Sequence, residues 1–435
     1  METRNNMTNF EAWRLFTDAL EAPDDFVNMT WYWTCGAALE RRVWYGDFQR
    51  AMFSAQYMLF VGPPGVGKGS SMREGFKLLR KHGARNPDGT KRMSRSNPLE
   101  VEPLFFSLPD TVIFEQLIQA IADHTFPFVT PTGDIYAHSS AYFGLEELSS
   151  LMRKHKSEDV CRLLLNLYDN VPYKYETKKS GKASLTNGCL NLLAGTQVDF
   201  IRSCEKDGIL GEGLISRFLI VYGNTKRKVM FEYPEFTAEQ KAAQKQLQDW
   251  MFKLSQVFGQ IRYEDPIEDP KWLLDWWQSE YRYLERFVDS KLANYFDRRK
   301  DHVMKLAVAI HASESDSLVI KRASFEKAIE LVRRLEVGAI TVAQKAGRNT
   351  AFPIQERLVS FIRQRPRTNA EVYRMLESEM DLTEIMNTLA LLQAGNRIVN
   401  NNDIWEISKE VVPEAIANAN TYRDPLEGTA DAITD

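Results

Sequence analysis

Tyr57 to Lys81, YMLFVGPPGVGKGSSMREGFKLLRK, is an apolar run that breaks into glycines and a lysine and then takes up helical spacing. It predicts strand, loop and helix in succession. The loop fits the first seven positions of the phosphate-cradling pattern GxxxxGK followed by Ser or Thr: Gly62, Pro63, Pro64, Gly65, Val66, Gly67 and Lys68. It departs at the eighth, where Gly69 stands in place of a hydroxyl residue. Gly62, Gly65 and Gly67 permit backbone conformations that turn successive N–H groups inward and let a triphosphate approach closely. The following helix adds its N-terminal dipole and unpaired donors, and Lys68 sets a compact positive charge against the outer phosphates. Ser70 or Ser71 could supply the hydroxyl that holds Mg²⁺, one or two places late.

At 435 residues the chain has room for two or three domains with cores of their own. A net charge of −4 argues against a uniformly basic coat, so any nucleic-acid contact would come from local patches. Cys35, Cys161, Cys189 and Cys204 form no CxxC pair and no metal-ligand spacing, and nothing at the N-terminus resembles a signal peptide. That usage fits a reducing cytoplasm. No apolar run approaches the ~20 residues of a membrane span.

Working outward from the loop, residues 1–50 show helical periodicity dense in aromatics, with Phe10, Trp13 and Phe16 on one face and Trp31, Trp33, Trp44 and Tyr45 beyond. Interleaved with Arg41, Arg42 and Arg50 they could stack bases, or they could bury themselves as a helical collar on the core. Residues 81–98 lose periodicity and carry Arg85, Lys91, Arg92 and Arg95, a basic surface loop. Val101 to Leu108 predicts a second strand, and Thr111 to Asp123 a helix. AYFGLEELSSLM then ends a strand at Leu145 and exposes Glu146 and Glu147 at its carboxyl edge, where an open α/β sheet places its ligand site. We assign Glu146 to Mg²⁺ and Glu147 to the attacking water.

The stretch YKYETKKSGKASLT alternates like a hairpin with Lys178, Lys179, Ser180, Gly181 and Lys182 at its tip, a basic projection suited to a phosphate backbone. CLNLLAGT, buried on both faces by its composition, is a parallel strand ending at Thr196 and Gln197, polar groups able to orient the attacking water. GEGLISRFLIVYG sets Arg217 just ahead of another strand. There it is either a salt-bridge partner at the sheet edge or a finger reaching a neighbour's γ-phosphate.

In series, GPPGVGKG, the LEE acids, the basic hairpin, LLAGTQ and LISRF resemble the Walker A, Walker B, pre-sensor hairpin, sensor 1 and arginine-finger elements of AAA+ and related ring helicases. The nearest resemblance is to the ATPase half of phage and plasmid primase–helicases, over residues 20 to 340 or so, with no primase module ahead of it. The lead-in APDDFV and ALERRVWYGDF looks like theirs. FDRRKDHVMKLAVAIHASES is similar to the helical lid of minichromosome-maintenance-type helicases, which implies that Arg298, or else Arg299, is the sensor 2 arginine closing on the phosphates. GKG followed by serine is also similar to adenylate-kinase loops.

The expected fold is α/β: a helical collar (1–50), a P-loop ATPase core with a parallel sheet (51–233), a helical lid (234–347), a winged-helix domain (348–412) and a disordered acidic tail (413–435). Helices followed by RIVNNNDIWEIS carry the winged-helix reading, with Arg363, Arg365 and Arg367 as candidate DNA contacts. The expected activity is an ATP- and Mg²⁺-dependent DNA motor, a replicative helicase forming a hexameric ring around single-stranded DNA in the host cytoplasm, with a primase or other replication proteins as further partners. The alternatives are an ATP-switched DNA-binding initiator or helicase loader, and a nucleotide kinase.

Overall fold

Four largely apolar runs build the central sheet of residues 1–347: β1 (Tyr57–Val61), β2 (Ser140–Leu145), β3 (Cys189–Thr196) and β4 (Phe218–Tyr222). In this computed structural model they pair in parallel in the order β4-β1-β3-β2, with Tyr57 opposite Phe218 on one side and Leu192 on the other. The structure describes residues 7–84, 90–93, 99–109, 114–130, 132–152, 157–177, 181–206, 212–232, 234–287, 293–347, 351–377, 380–394 and 397–408.

Side chains alternate across the sheet, as the two-residue strand period requires. Met58, Phe60, Leu193, Leu219 and Val221 face one hydrophobic cluster, whereas Tyr57, Leu59, Val61, Leu192, Ile220 and Phe218 face another. Both faces are covered, which is why these strands read as mainly apolar runs without strict alternation. The first cluster takes in Trp13, Trp31 and Trp33, each fully buried, so these three rings belong to the core and cannot stack on bases. The second is closed by helices Phe114–Asp123 and Ser157–Tyr168.

The first cluster also joins segments far apart in sequence. Helices Asn9–Phe16 and Asp24–Leu39 pack with Ala238–Leu254, Arg299–Glu314 and Arg322–Gly347. Val43–Tyr45 pairs in parallel with Gly259–Ile261 in a second, four-stranded sheet that includes Met52–Phe53 and Val319–Ile320. Residues ahead of the glycine loop and residues beyond Pro234 thus share one core and one sheet.

Val101 to Leu108 does not form the full strand expected of it. Only its end runs beside β2, where Leu108 N donates to Tyr142 O and Tyr142 N to Phe106 O, both at 2.9 Å. Pro103 removes one donor from this run, and Val101 and Pro103 bridge instead to Met93 and Gly83. Arg92, read as part of a solvated loop, is paired with Glu102. The hairpin expected at 173–186 is present as Tyr173–Thr177 against Gly181–Leu185, leading directly into the start of β3.

The chain divides into two compact units between residues 347 and 348. In the second, helices Ala351–Gln364, Asn369–Leu376 and Leu382–Ala394 enclose a core of Leu358, Ile362, Val372, Leu389 and Trp405. Arg367–Thr368, Ile404–Ile407 and Ile398–Asn401 form its antiparallel sheet, and the tight turn at Asn402 and Asp403 has positive φ at both residues. Of the three arginines read as DNA contacts, Arg367 is buried with its guanidinium 3.7 Å from the Phe361 ring and Arg365 pairs with Glu371; only Arg363 is exposed and outside both contacts. The acidic tail at 413–435 lies outside the described residues.

Candidate functional site

In a parallel sheet every strand delivers its following residue to the same edge. The carboxyl edge therefore collects Gly62 after β1, Glu146 after β2, Gln197 after β3 and Gly223 after β4. Two of these are glycines for a spatial reason: a Cβ on Gly62 would lie 2.1 Å from the Gly223 carbonyl oxygen. Close approach ties the loop to β4, while Gly62 N reaches Thr196 O at 3.3 Å. Gly65 and Gly67 have φ of +75° and +100°, values that favour glycine, and they turn the chain into helix Lys68–Arg80. Gly67 is doubly constrained, since a Cβ there would meet Ala22 at 2.8 Å. Pro63, Pro64 and Gly65 are exposed and Val66 is buried beneath them.

Lys68 is 8% exposed and its ammonium donates to Gly62 O at 2.7 Å and Pro63 O at 3.0 Å, curling back under the loop. Burial lowers its pKa, opposed by the nearby Glu147 carboxylate. Glu147 also accepts from Thr196 Oγ1 at 3.4 Å. Glu147, Lys68 and Thr196 thus converge from three separate chain segments, as the sequence pattern led us to expect. Gln197 is half-buried and caps the next helix through its backbone oxygen.

Glu146 turns the other way, across the start of the helix. Its carboxylate pairs with Arg73 at 2.6 Å and lies against Gly69. Ser70 Oγ donates to Gly67 O at 2.9 Å and Ser71 Oγ to Lys68 O at 2.8 Å, so both hydroxyls bond back onto the first turn. Arg73 and Ala22 were not singled out from the sequence. Arg73 falls four residues after Gly69, one helical turn along the same face, which is the only signal that could have suggested it.

Arg217 and Arg298 lie elsewhere. Arg217 immediately precedes Phe218, which is in register with Tyr57 at the amino end of β1. It is 9% exposed, pairs with Asp169 and donates to Gly213 O at 2.6 Å, the salt-bridge role that its sequence position allowed. Arg298 approaches the same Asp169 at 3.6 Å and Asp301 at 3.3 Å. Sharing Asp169 with Arg217 sets Arg298, the residue ahead of helix Arg299–Glu314, at the amino edge; four residue steps of β1 alone separate the edges by ~13 Å. Arg298, expected to close on the phosphates, therefore does not stand beside the glycine loop of its own chain. Arg299 is sequestered too, buried between Glu280 and Glu336. Behind these, Lys305 donates to Ala55 O and Tyr168 O, and His302 Nε2 to Ser216 O.

Lys178 and Lys179 lie outside the described residues; Lys182 stands in the second hairpin strand opposite Glu176. A cavity of about 430 Å³ bounded by Glu40, Arg42, Phe126 and Phe128 includes none of the expected site residues. Burial pushes the Glu40 carboxyl up to about 7 despite Arg42 beside it. Among the described residues there is no cluster of three or more His, Cys, Asp or Glu side chains suited to a metal, and no helix long and apolar enough to cross a membrane. No family model matches the chain, and no curated protein matches it in sequence.

Proposed function

We propose that the carboxyl edge is a nucleoside triphosphate site and that the chain is an ATP-driven, ring-forming DNA motor, a replicative helicase of the phage and plasmid kind. The observation that carries the reading is the convergence of Lys68, Glu147 and Thr196 beside a loop in which Gly65 and Gly67 adopt left-handed backbone. In this reading the Gly62–Gly67 backbone cradles the phosphates as a P-loop, and Lys68 leaves its own carbonyls for the outer phosphates. Glu147 accepts a proton from the attacking water, with Thr196 holding the carboxylate in place. The residues around Gly69 suit Mg²⁺, which when bound neutralises charge on the phosphates. Arg217 and Arg298 are tied to Asp169 and take no part in their own chain's site; a role for either would lie at a neighbouring copy.

The hairpin carrying Lys178, Lys179 and Lys182 is the DNA-tracking element, and the second unit, three helices with an antiparallel hairpin, is a winged helix. What supports the assignment is the order of parts along the chain and the sheet order that brings the acids and the loop together. The test is hydrolysis of ATP by the full chain with and without single-stranded DNA. DNA raises the rate, and Lys68→Ala lowers it by at least ~100-fold; a rate indifferent to both would refute the motor reading.

A further inference from the structure

Gly69 is the residue that departs from the phosphate-loop pattern, and its backbone does not explain it. It lies in the first turn of a helix with φ outside the left-handed range, where glycine costs about 1 kcal/mol relative to alanine. Space bears on it. A Cβ at 69 would lie 3.1 Å from both Cδ and Oε2 of Glu146 and 3.4 Å from Oε1, closer than ordinary van der Waals contact, so a side chain at 69 displaces the carboxylate from the place it holds by a few tenths of an ångström.

Glu146 is held there from both ends. Leu148 N donates to Gly195 O at 2.8 Å, and a Cβ on Gly195 would come within 2.5 Å of the Glu146 carbonyl oxygen, so the backbone of the acidic turn is pressed against the end of β3. At the other end, Arg73 grips Oε1 at 2.6 Å from one turn further along the helix. The side chain still keeps 58% of its surface exposed and can reach a ligand. The hydroxyls of Ser70 and Ser71 are turned onto the helix backbone.

We propose that Gly69 and Glu146 are a length-exchanged pair: the carboxylate of Glu146 extends across the glycine and provides, in place of a hydroxyl from the helix, the protein's ligand to the Mg²⁺ that accompanies a bound nucleoside triphosphate. Arg73 is the positioning residue that keeps the carboxylate extended when no cation is near. The inference rests on the nucleotide-site reading. Its content is a coupling. A serine at 69 crowds Glu146, and an aspartate at 146 falls one methylene short of the position, whereas the two changes together restore a conventional hydroxyl and short acid.

The experiment is equilibrium binding of a fluorescent ATP analogue to the full chain, with and without Mg²⁺, for the wild type, Gly69→Ser, Glu146→Asp and the double variant. The Mg²⁺-free affinity reports folding and the loop; the ratio of the two affinities reports the metal. Each single change lowers that ratio by about tenfold and the double returns to within about threefold of the wild type. Losses that simply add in the double, or a ratio that depends on Ser70→Ala while Gly69→Ser and Glu146→Asp are silent, overturn the pairing and leave the nucleotide site standing. Absence of any binding sensitive to Lys68→Ala overturns both.

Discussion

The two edges of the central sheet carry similar side chains and use them in opposite ways. At the amino edge Arg217, Arg298, Lys305 and His302 are matched to Asp169, Asp301 and backbone carbonyls until little is left over. At the carboxyl edge the glycines bring backbone close together, Lys68 is satisfied only by its own loop, and Glu146 and Arg73 meet in an exposed pair. An exposed ion pair is worth well under 1 kcal/mol, so exchanging it for a ligand costs little. Removing one partner from a buried network leaves a charge without compensation. The lesson is that a charged residue near a sheet edge becomes a candidate for chemistry through what it has not yet bonded, more than through its type.

The largest expected effect that separates the edges is Lys68→Ala, which removes hydrolysis while leaving the urea unfolding midpoint unchanged. Next comes Asp169→Asn, which takes from Arg217 its carboxylate partner and leaves Arg298 with Asp301 alone. It lowers the unfolding free energy by about 2 kcal/mol, discounted from the fully buried case because Asp169 is 34% exposed. Nucleotide affinity stays as in the wild type. Should stability hold while hydrolysis changes its dependence on protein concentration, Arg217 acts on a neighbouring copy and the amino edge is a functional surface after all.

A smaller effect comes with pH. Burial lowers the His302 pKa from its ordinary 6.5 to about 3, against the pull of its hydrogen bond to Ser216 O. Between those values the unfolded chain takes up a proton that the folded chain refuses. The contribution is therefore complete above pH 6.5 and falls as pH drops, by about 2 kcal/mol on reaching about pH 5. His302→Gln flattens that part of a urea-unfolding series; an unchanged slope would remove His302 from the acid response.

Much of this geometry could be read from the chain. β2, β3 and β4 are predominantly apolar runs because helices cover both faces, and the acids, Thr196 and Arg217 sit at strand ends that those runs define. What could not be read depends on distance in sequence. The second sheet is assembled from strands of two to five residues, too short to show a period, whose direct partners lie up to roughly 200 positions apart. The place of Arg298 beside Asp169 was not legible because a helix pattern does not say which sheet edge its first turn meets. Arg73 carried no motif, and its part follows only from the reach of Glu146.

The central claim is that nucleotide binds at the carboxyl edge and nowhere near the amino-edge arginines. Amide hydrogen exchange on the full chain, with and without a non-hydrolysable ATP analogue and Mg²⁺, tests it most directly. Protection concentrated in residues 62–71 and 145–148, and absent from 298–305, is the result expected. Protection confined to 298–305, or no change at the glycine loop with analogue at saturating concentration, would contradict it.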